Sequence, residues 1–257
     1  MTQRWSVGVD VGASATKAVL LNAEGRVCAR AVRKSGADFA AAADACLAEV
    51  LAAAGIDAAV IGRALATGYG RRNVRFAHAI ATEITCHAHG CHANLPKAMT
   101  IVDIGGQDNK VIVIDDSGAR RHFKMNRKCA AGTGAFLEEI AAYLDIPLAT
   151  LNPLASQATG TLQLGSFCTV FAKTELLKLV AQGAPLPEIA KAAFRSVVKR
   201  ILEMDPLSGQ VVMTGGVVAH NPVIVKLLSE ALGRAVLVPD HPQYTGALGA
   251  ALLAADA

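Results

Sequence analysis

No stretch of this chain holds enough uninterrupted apolar residues to cross a bilayer, which argues against a membrane span. The opening MTQRWSVGVDVG lacks the charged-then-apolar order of a secretory leader, so the expectation is a soluble, cytoplasmic protein. Aromatic residues are scarce at 4%, which leaves few platforms on which single-stranded bases stack. Charge of either sign is modest: 25 Lys and Arg stand against 21 Asp and Glu, dispersed apart from Arg71-Arg72 and Arg120-Arg121. Nucleic acid is therefore not an expected partner. No CxxC pair occurs, which excludes zinc ribbons and thioredoxin chemistry. There is no GxxxxGKS/T and no GxGxxG opening a helix after a strand, so P-loop and Rossmann sites are unsupported. In a reducing compartment the six cysteines do not form a disulfide framework.

What is present is a globular composition, 53% hydrophobic and 18% charged over 257 residues, long enough for two ordinary domains. Much of the apolar content is alanine, which points to closely packed helices. The first 32 residues read as strand, turn, strand, acidic turn, strand. An alanine-rich helix over 40–54 ends near Gly55, and a strand follows over 59–67. The same unit then returns in MTIVDIGGQDNKVIVIDDSGARRHFKMN. Lys17 lies seven residues after Asp10, and Lys110 seven after Asp103. Acidic turns follow at Glu24-Gly25 and at 115–118. Two copies of one unit predict two similar α/β halves with a cleft between them. Helices are expected over 134–144, 170–181, 186–203, 222–232 and 245–255, with VVMTGG a buried strand ending in a glycine turn. The expected lobes are 1–98 and 99–257, the closing helix being free to return to the first.

The two DxG turns carry the nucleotide signal. A glycine after the aspartate lets backbone approach a phosphate, and hydroxyl or amide donors in the turn grip it. The first copy offers Gly12, Ser14, Thr16 and Lys17; the second offers Gly105, Gly106 and Gln107. Asp10 and Asp103 are placed to hold Mg²⁺ through its water shell. Gly215 and Gly216 form a third glycine turn, suited to an adenosine lying against backbone.

Cys129 and Cys168 each stand where a loop gives way to a helical run, Cys129 through Gly132-Thr133-Gly134. A helix N-terminus favours a thiolate and hence metal ligation. An iron–sulfur cluster usually takes four cysteines, and two chains about a two-fold axis supply four. The Cys86-His87-Ala88-His89-Gly90-Cys91-His92 segment is rich in metal ligands, but its spacing fits neither a zinc ribbon nor a finger.

DVGASATK at 10–17, DIGGQD at 103–108 and TGGV at 214–217 resemble the phosphate-1, phosphate-2 and adenosine motifs of the sugar kinase, acetate kinase and actin superfamily. KCAAGTGAFLE at 128–138 and CTVFAKTE at 168–175 narrow the resemblance to the BadF/BadG/BcrA/BcrD-type ATPases, the activators of 2-hydroxyacyl-CoA dehydratases and the activating subunits of benzoyl-CoA reductases. The resemblance runs from about residue 6 to residue 252. It implies a duplicated actin-like, ribonuclease H-like ATPase fold of two lobes with an interlobe nucleotide cleft. It implies Asp10, Asp103 and Gln107 as catalytic residues. Gly12, Ser14, Thr16, Lys17, Gly105, Gly106, Gly132, Thr133, Gly134, Gly215 and Gly216 are then the cofactor-binding residues for Mg²⁺-ATP.

The resemblance also implies one 4Fe–4S cluster per dimer, held by Cys129 and Cys168 of each subunit. The dimer is either a homodimer or a pair with a related subunit. The implied partners are an acyl-CoA reductase or dehydratase and a ferredoxin or flavodoxin donor. EITCHAHG resembles the family's EITCHARG segment, with His89 where an arginine is common. The wording of NRKCAAGTGAFLEEI and DIGGQDNK leans toward benzoyl-CoA reductase over the dehydratase activators. The competing readings are a small-molecule kinase of the same superfamily and an ATP-sensing module, both without iron.

Overall fold

The computed structural model describes residues 4–126, 129–165 and 169–256. The strands are β1 (Trp5–Val11), β2 (Ala15–Leu21), β3 (Val27–Lys34), β4 (Ile61–Thr67), β5 (Ala79–Ile80), β6 (Met99–Ile104), β7 (Asn109–Ile114), β8 (Arg120–Asn126) and β9 (Val211–Thr214). The helices are α1 (Phe39–Ala54), α2 (Glu83–Asn94), α3 (Gly134–Tyr143), α4 (Leu151–Gln157), α5 (Thr169–Ala181), α6 (Leu186–Met204), α7 (Gly216–His220), α8 (Pro222–Leu232) and α9 (Thr245–Ala255). The fold class expected from sequence holds: α/β, with two sheets.

The chain divides into two compact units. One holds the chain up to Ala98, Ile112–His122 and the segment from Pro239 onward; the other holds Met99–Val111 and Phe123–Val238. Ile112–His122, expected in the C-terminal lobe, belongs to the first unit. The physical reason is the turn after β7. His92 at the end of α2 bonds through Nε2 to the carbonyl of Asp116 at 3.0 Å, and the Ala98 N–H donates to Asp116 Oδ1 at 2.9 Å.

The first unit is built on a sheet in the order β3-β2-β1-β4-β5. β2 is antiparallel to β1 and β3, and β4 is parallel to β1 and β5. Both faces are covered, so alternate residues serve different cores. Val7, Val9, Val11, Ala18 and Leu20 pack with Ala43, Cys46 and Val50 of α1. Val19 and Leu21 pack with Ala247 and Ala251 of α9. Asp38 starts α1 by accepting the Ala41 N–H at 3.0 Å. α9 is almost entirely Ala, Gly and Leu because neighbouring backbones crowd it. A Cβ on Gly8 of β1 would overlap the Ala247 carbonyl, one on Gly90 of α2 the Thr245 carbonyl, and one on Gly249 the Cys86 carbonyl.

The second sheet has the order β8-β7-β6-β9. β9 is parallel to β6, and Leu237 extends the edge through a parallel bridge to Val212. The core of the second unit joins Val102 and Ile104 of β6 to Phe136, Leu137 and Ile140 of α3 and to Ala190, Phe194, Val197 and Ile201 of α6. The α6 residues recur at helical spacing and make one apolar stripe. Pro187 stands in the first turn of α6, where its missing N–H removes no helical bond. Among the described residues no helix is long and apolar enough to cross a membrane.

Candidate functional site

The seven-residue spacing from aspartate to lysine is a hairpin register. β1 and β2 pair Asp10 with Lys17 and Val11 with Thr16, and the Gly12 N–H closes the turn on the Ala15 carbonyl at 3.1 Å. Lys17 Nζ reaches Asp10 Oδ2 at 3.0 Å, with the lysine side chain 15% exposed and the aspartate 7%. Ser14 stands exposed at the tip. Thr16 points inward: its hydroxyl lies 2.9 Å from Ser35 Oγ, which also donates to the Gly12 carbonyl at 2.6 Å. The Ser35 N–H donates to the Ser14 carbonyl at 3.1 Å. Ser35, which the motifs alone do not single out, therefore braces this hairpin turn from the end of β3.

The second hairpin repeats the construction with one change. The Gly105 N–H closes on the Asp108 carbonyl at 2.9 Å. Lys110 Nζ lies 3.1 Å from Asp103 Oδ2 and 2.6 Å from Asp108 Oδ1, with its side chain 3% exposed. Two carboxylates thus flank one buried ammonium, where Ala15 holds the matching position in the first hairpin. Gln107 is exposed at the tip, beside half-buried Gly105 and Gly106.

A further matched pair sits beside the aspartates. Asp10 is opposite Thr67 at the end of β4, and Asp103 is opposite Thr214 at the end of β9. The next residues, Gly68 and Gly215, have φ of +93° and +103°. A Cβ on Gly68 would meet the Val11 carbonyl and lie 2.7 Å from Asp10 Oδ1; one on Gly215 would meet the Ile104 carbonyl and lie 2.7 Å from Asp103 Oδ1. Only glycine suits either place. Gly215 was expected from TGGV; Thr67-Gly68 was not. The signal for it was a second Thr-Gly ending a buried strand. Gly216 opens α7.

Cys129 follows β8 in a turn that ends at α3. Asn126 Nδ2 donates to the Cys129 carbonyl at 3.0 Å, and Thr133 Oγ1 donates to the Ala130 carbonyl at 2.6 Å. The Ala131 N–H donates to Cys129 Sγ at 3.4 Å. The N–H groups of Gly134 and Ala135, at the start of α3, donate to the carbonyls of Gly105 and Gly106 at 2.9 and 2.8 Å. The cysteine turn and the second phosphate-type hairpin are therefore joined directly. Of Gly132, Thr133 and Gly134, expected among the nucleotide-binding residues, Gly134 makes this join with Ala135, while Thr133 bonds back to Ala130. Cys168 lies outside the described residues; α5 begins just after it.

The donor set fits the implied groups. Cys129 is half-buried, and its sulfur already accepts a backbone N–H, the kind of contact that tunes iron–sulfur ligands. Mg²⁺ is commonly held by one or two carboxylates, water and substrate phosphates, and Asp10 and Asp103, each in its own unit, are carboxylates of that kind. Among the described residues no group of three or more His, Cys, Asp or Glu gathers as a metal site.

The cysteine and histidine segment forms α2. Thr82 caps it by accepting the Thr85 N–H at 3.2 Å. Cys86, His87 and Cys91 are buried, His89 is exposed, and His92 turns to Asp116. Burial pushes the Cys86 thiol up to about 12 and the Cys46 thiol to about 11, so both stay protonated and poorly nucleophilic.

Comparison with known proteins adds the following. The model of the BadF/BadG/BcrA/BcrD ATPase family matches residues 7–254. The activator of lactoyl-CoA dehydratase from Anaerotignum propionicum is 41% identical, over 98% of both chains. One of the subunits of benzoyl-CoA reductase from Thauera aromatica is 32% identical, over 96% of this chain and 92% of its own. The activator of the 2-hydroxyisocaproyl-CoA dehydratase from Clostridium difficile, solved with bound ADPNP, superposes with a TM-score of 0.92 at 35% identity. That match covers 98% of this chain and 94% of the other. A ROK family glucokinase from Streptomyces griseus, at 14% identity and a TM-score of 0.58 over 98% of this chain and all of its own, shares the fold alone.

Proposed function

Since the chain belongs to the BadF/BadG/BcrA/BcrD ATPase family, we propose that it is an ATP-hydrolysing activator that delivers low-potential electrons to a 2-hydroxyacyl-CoA dehydratase. The observation that carries this reading is the join between the Gly105-Gly106 hairpin and the turn bearing Cys129. A kinase needs no such link from its phosphate loop to a cysteine. An activator does, because nucleotide turnover must be felt at the electron carrier.

In this reading the two hairpins bind the phosphates of ATP. Ser14 and Lys17 meet the anionic oxygens, and Asp10 and Asp103 orient the water shell of Mg²⁺. Gln107 positions the attacking water. Gly68 and Gly215 leave the space beside the two aspartates free of side chains. Two subunits, identical or related, share one 4Fe–4S cluster through Cys129 and Cys168 of each. When bound, the cluster supplies one-electron chemistry, refilled by a ferredoxin or flavodoxin. The Ala131 N–H steadies the Cys129 sulfur, and Asn126 holds the turn in place. Motion of the Gly105-Gly106 carbonyls as ATP is hydrolysed pulls on the first turn of α3 and so reorients this ligand.

The sequence motifs lean toward benzoyl-CoA reductase. The higher identity and fuller coverage of the lactoyl-CoA dehydratase activator favour the dehydratase instead, and we adopt that order. The test is anaerobic purification with iron, sulfide and native mass measured on one sample, followed by ATP-dependent activation of an inactive 2-hydroxyacyl-CoA dehydratase. A brown dimer with about two iron per chain that activates the dehydratase supports the proposal. A colourless chain that refuses a cluster on reconstitution and phosphorylates a small molecule overturns it in favour of the kinase. Activity only with a benzoyl-CoA reductase core reverses the order of the two electron acceptors.

A further inference from the structure

Three ties hold the second phosphate-type hairpin to the cysteine turn. Two are backbone bonds, from Gly134 and Ala135 to the carbonyls of Gly105 and Gly106. The third belongs to a side chain. Asn109, the first residue of β7 and only 1% exposed, donates from Nδ2 to the Gly132 carbonyl at 2.6 Å. Its Oδ1 is buried and accepts no hydrogen bond among the described residues. An unsatisfied buried carbonyl opposes folding, a cost that a valine or leucine in this place would avoid. The amide is therefore a poor choice for packing alone, and what it does on its other side is hold Gly132.

The contact is close. A Cβ on Gly132 would lie 3.1 Å from Asn109 Nδ2 and 2.9 Å from Arg200 Cγ, so the turn is clamped between β7 and α6. From Gly132 the chain of bonds is short. Thr133 is bonded back to Ala130, and the next N–H, of Ala131, rests on Cys129 Sγ. At its other end Asn109 stands between Asp108 and Lys110, the pair that closes the hairpin.

We infer that Asn109 is a positioning residue that couples the nucleotide state of the 105–108 hairpin to the sulfur of Cys129. The inference rests on the proposed function for what the hairpin binds and what Cys129 ligates. Without Asn109 the hairpin remains joined to α3, but the turn that carries the cysteine is released from it.

The test uses the full chain without cluster, so it yields an answer whether or not the protein takes up iron. Alkylation of Cys129 by iodoacetamide is followed by peptide mass spectrometry, with and without saturating non-hydrolysable ATP analogue. In the wild type the nucleotide is expected to change the Cys129 rate about threefold or more, while exposed Cys28 does not respond. Asn109→Leu keeps the branched shape, though not the volume, and removes both the donor and the stranded acceptor. It should bind the analogue as tightly as wild type and lose the response. Asn109→Ser guards against misfolding of the leucine variant and is expected to behave alike. A nucleotide response that persists in both variants overturns the inference, as does a wild type that binds nucleotide with no change at Cys129. Failure of the proposed function is seen separately, in the iron assay.

Discussion

The two halves of the molecule share a frame and differ in what is hung on it. The strand order β3-β2-β1-β4 of the first sheet matches β8-β7-β6-β9 of the second. Each half places an aspartate near the end of its first strand, a lysine seven residues on, and a threonine and glycine beside the aspartate. The link from the third strand to the fourth is where they part. In the first half it spans 35–60 with one long helix, α1; in the second it spans 127–210 and holds α3 to α6. The shared parts are those that meet a phosphate in the proposed function. The cysteine turn lies in the enlarged link, tied to the hairpin of its own half. Among the described cysteines, Cys28 of the first unit is exposed. Cys46, Cys86 and Cys91 are buried within the first unit, whereas Cys129 is half-buried on a turn with its sulfur accepting an N–H.

The lysines make the contrast quantitative. Lys17 has one carboxylate and partial exposure; Lys110 is buried between two. A duplicated motif has thus become one grip with a cation within reach of solvent and one whose cation is locked into the structure.

Substitutions can break this comparison. The largest effect is expected from Cys129→Ala, which should lose all iron while ATP binding persists, read by iron and sulfide content and nucleotide titration; Cys46→Ala should keep its iron. Normal iron in Cys129→Ala ends the ligand assignment. Lys110→Met should lower stability by about 3–5 kcal/mol in urea unfolding, because it takes the cation away from buried Asp103 and half-buried Asp108. Lys17→Met should cost less, since Lys17 pairs with one carboxylate and is itself nearer solvent, yet weaken ATP binding about tenfold through the lost charged contact. Equal losses from the two would show that the halves do not differ as described. Gly68→Ala and Gly215→Ala sharpen the likeness instead. Each forces a Cβ onto a carbonyl at positive φ, at about 2 kcal/mol or more, and the two midpoints should fall together.

The smallest effect concerns pH. The Cys86 thiol is pushed up to about 12 against an ordinary 9.0, so the folded state keeps a proton that the unfolded chain releases. That contribution is fully present below pH 9 and lost as the pH rises toward 12. By pH 10 the loss amounts to roughly 1 kcal/mol. Unfolding at pH 8 and pH 10 should show a shallower decline in Cys86→Ala, while Cys129→Ala retains the wild-type slope from this source.

Much of the architecture was legible because it is local. The DxG hairpins, the alanine-rich α1 and the apolar stripe of α6 each lie within one run of chain. The helices ending at Tyr143, Ala181, Leu232 and Ala255 were likewise readable from their periodicity. α2 is not legible as a helix, because its buried face includes Cys86, His87, Gly90 and Cys91, which carry no aliphatic rhythm. Its burial comes from α9, at the far end of the chain, a contact that no local window contains. Ser35 and Thr67-Gly68 escape a motif reading for the same reason: each acts on a hairpin to which it is not adjacent in sequence.

The sequence by itself determined that an aspartate and a lysine oppose each other in two hairpins, since a turn's register follows from its own few residues. It also determined that Cys129 stands in the loop that leads into a helix. Only the tertiary structure decided that Lys110 has a second carboxylate, that a glycine guards each aspartate, and that the start of α3 rests on Gly105 and Gly106. It alone also placed Asn109 against Gly132. Each of these is a contact fixed by burial of the sheets and helices around it, and short-range pattern carries no record of which distant backbone will arrive.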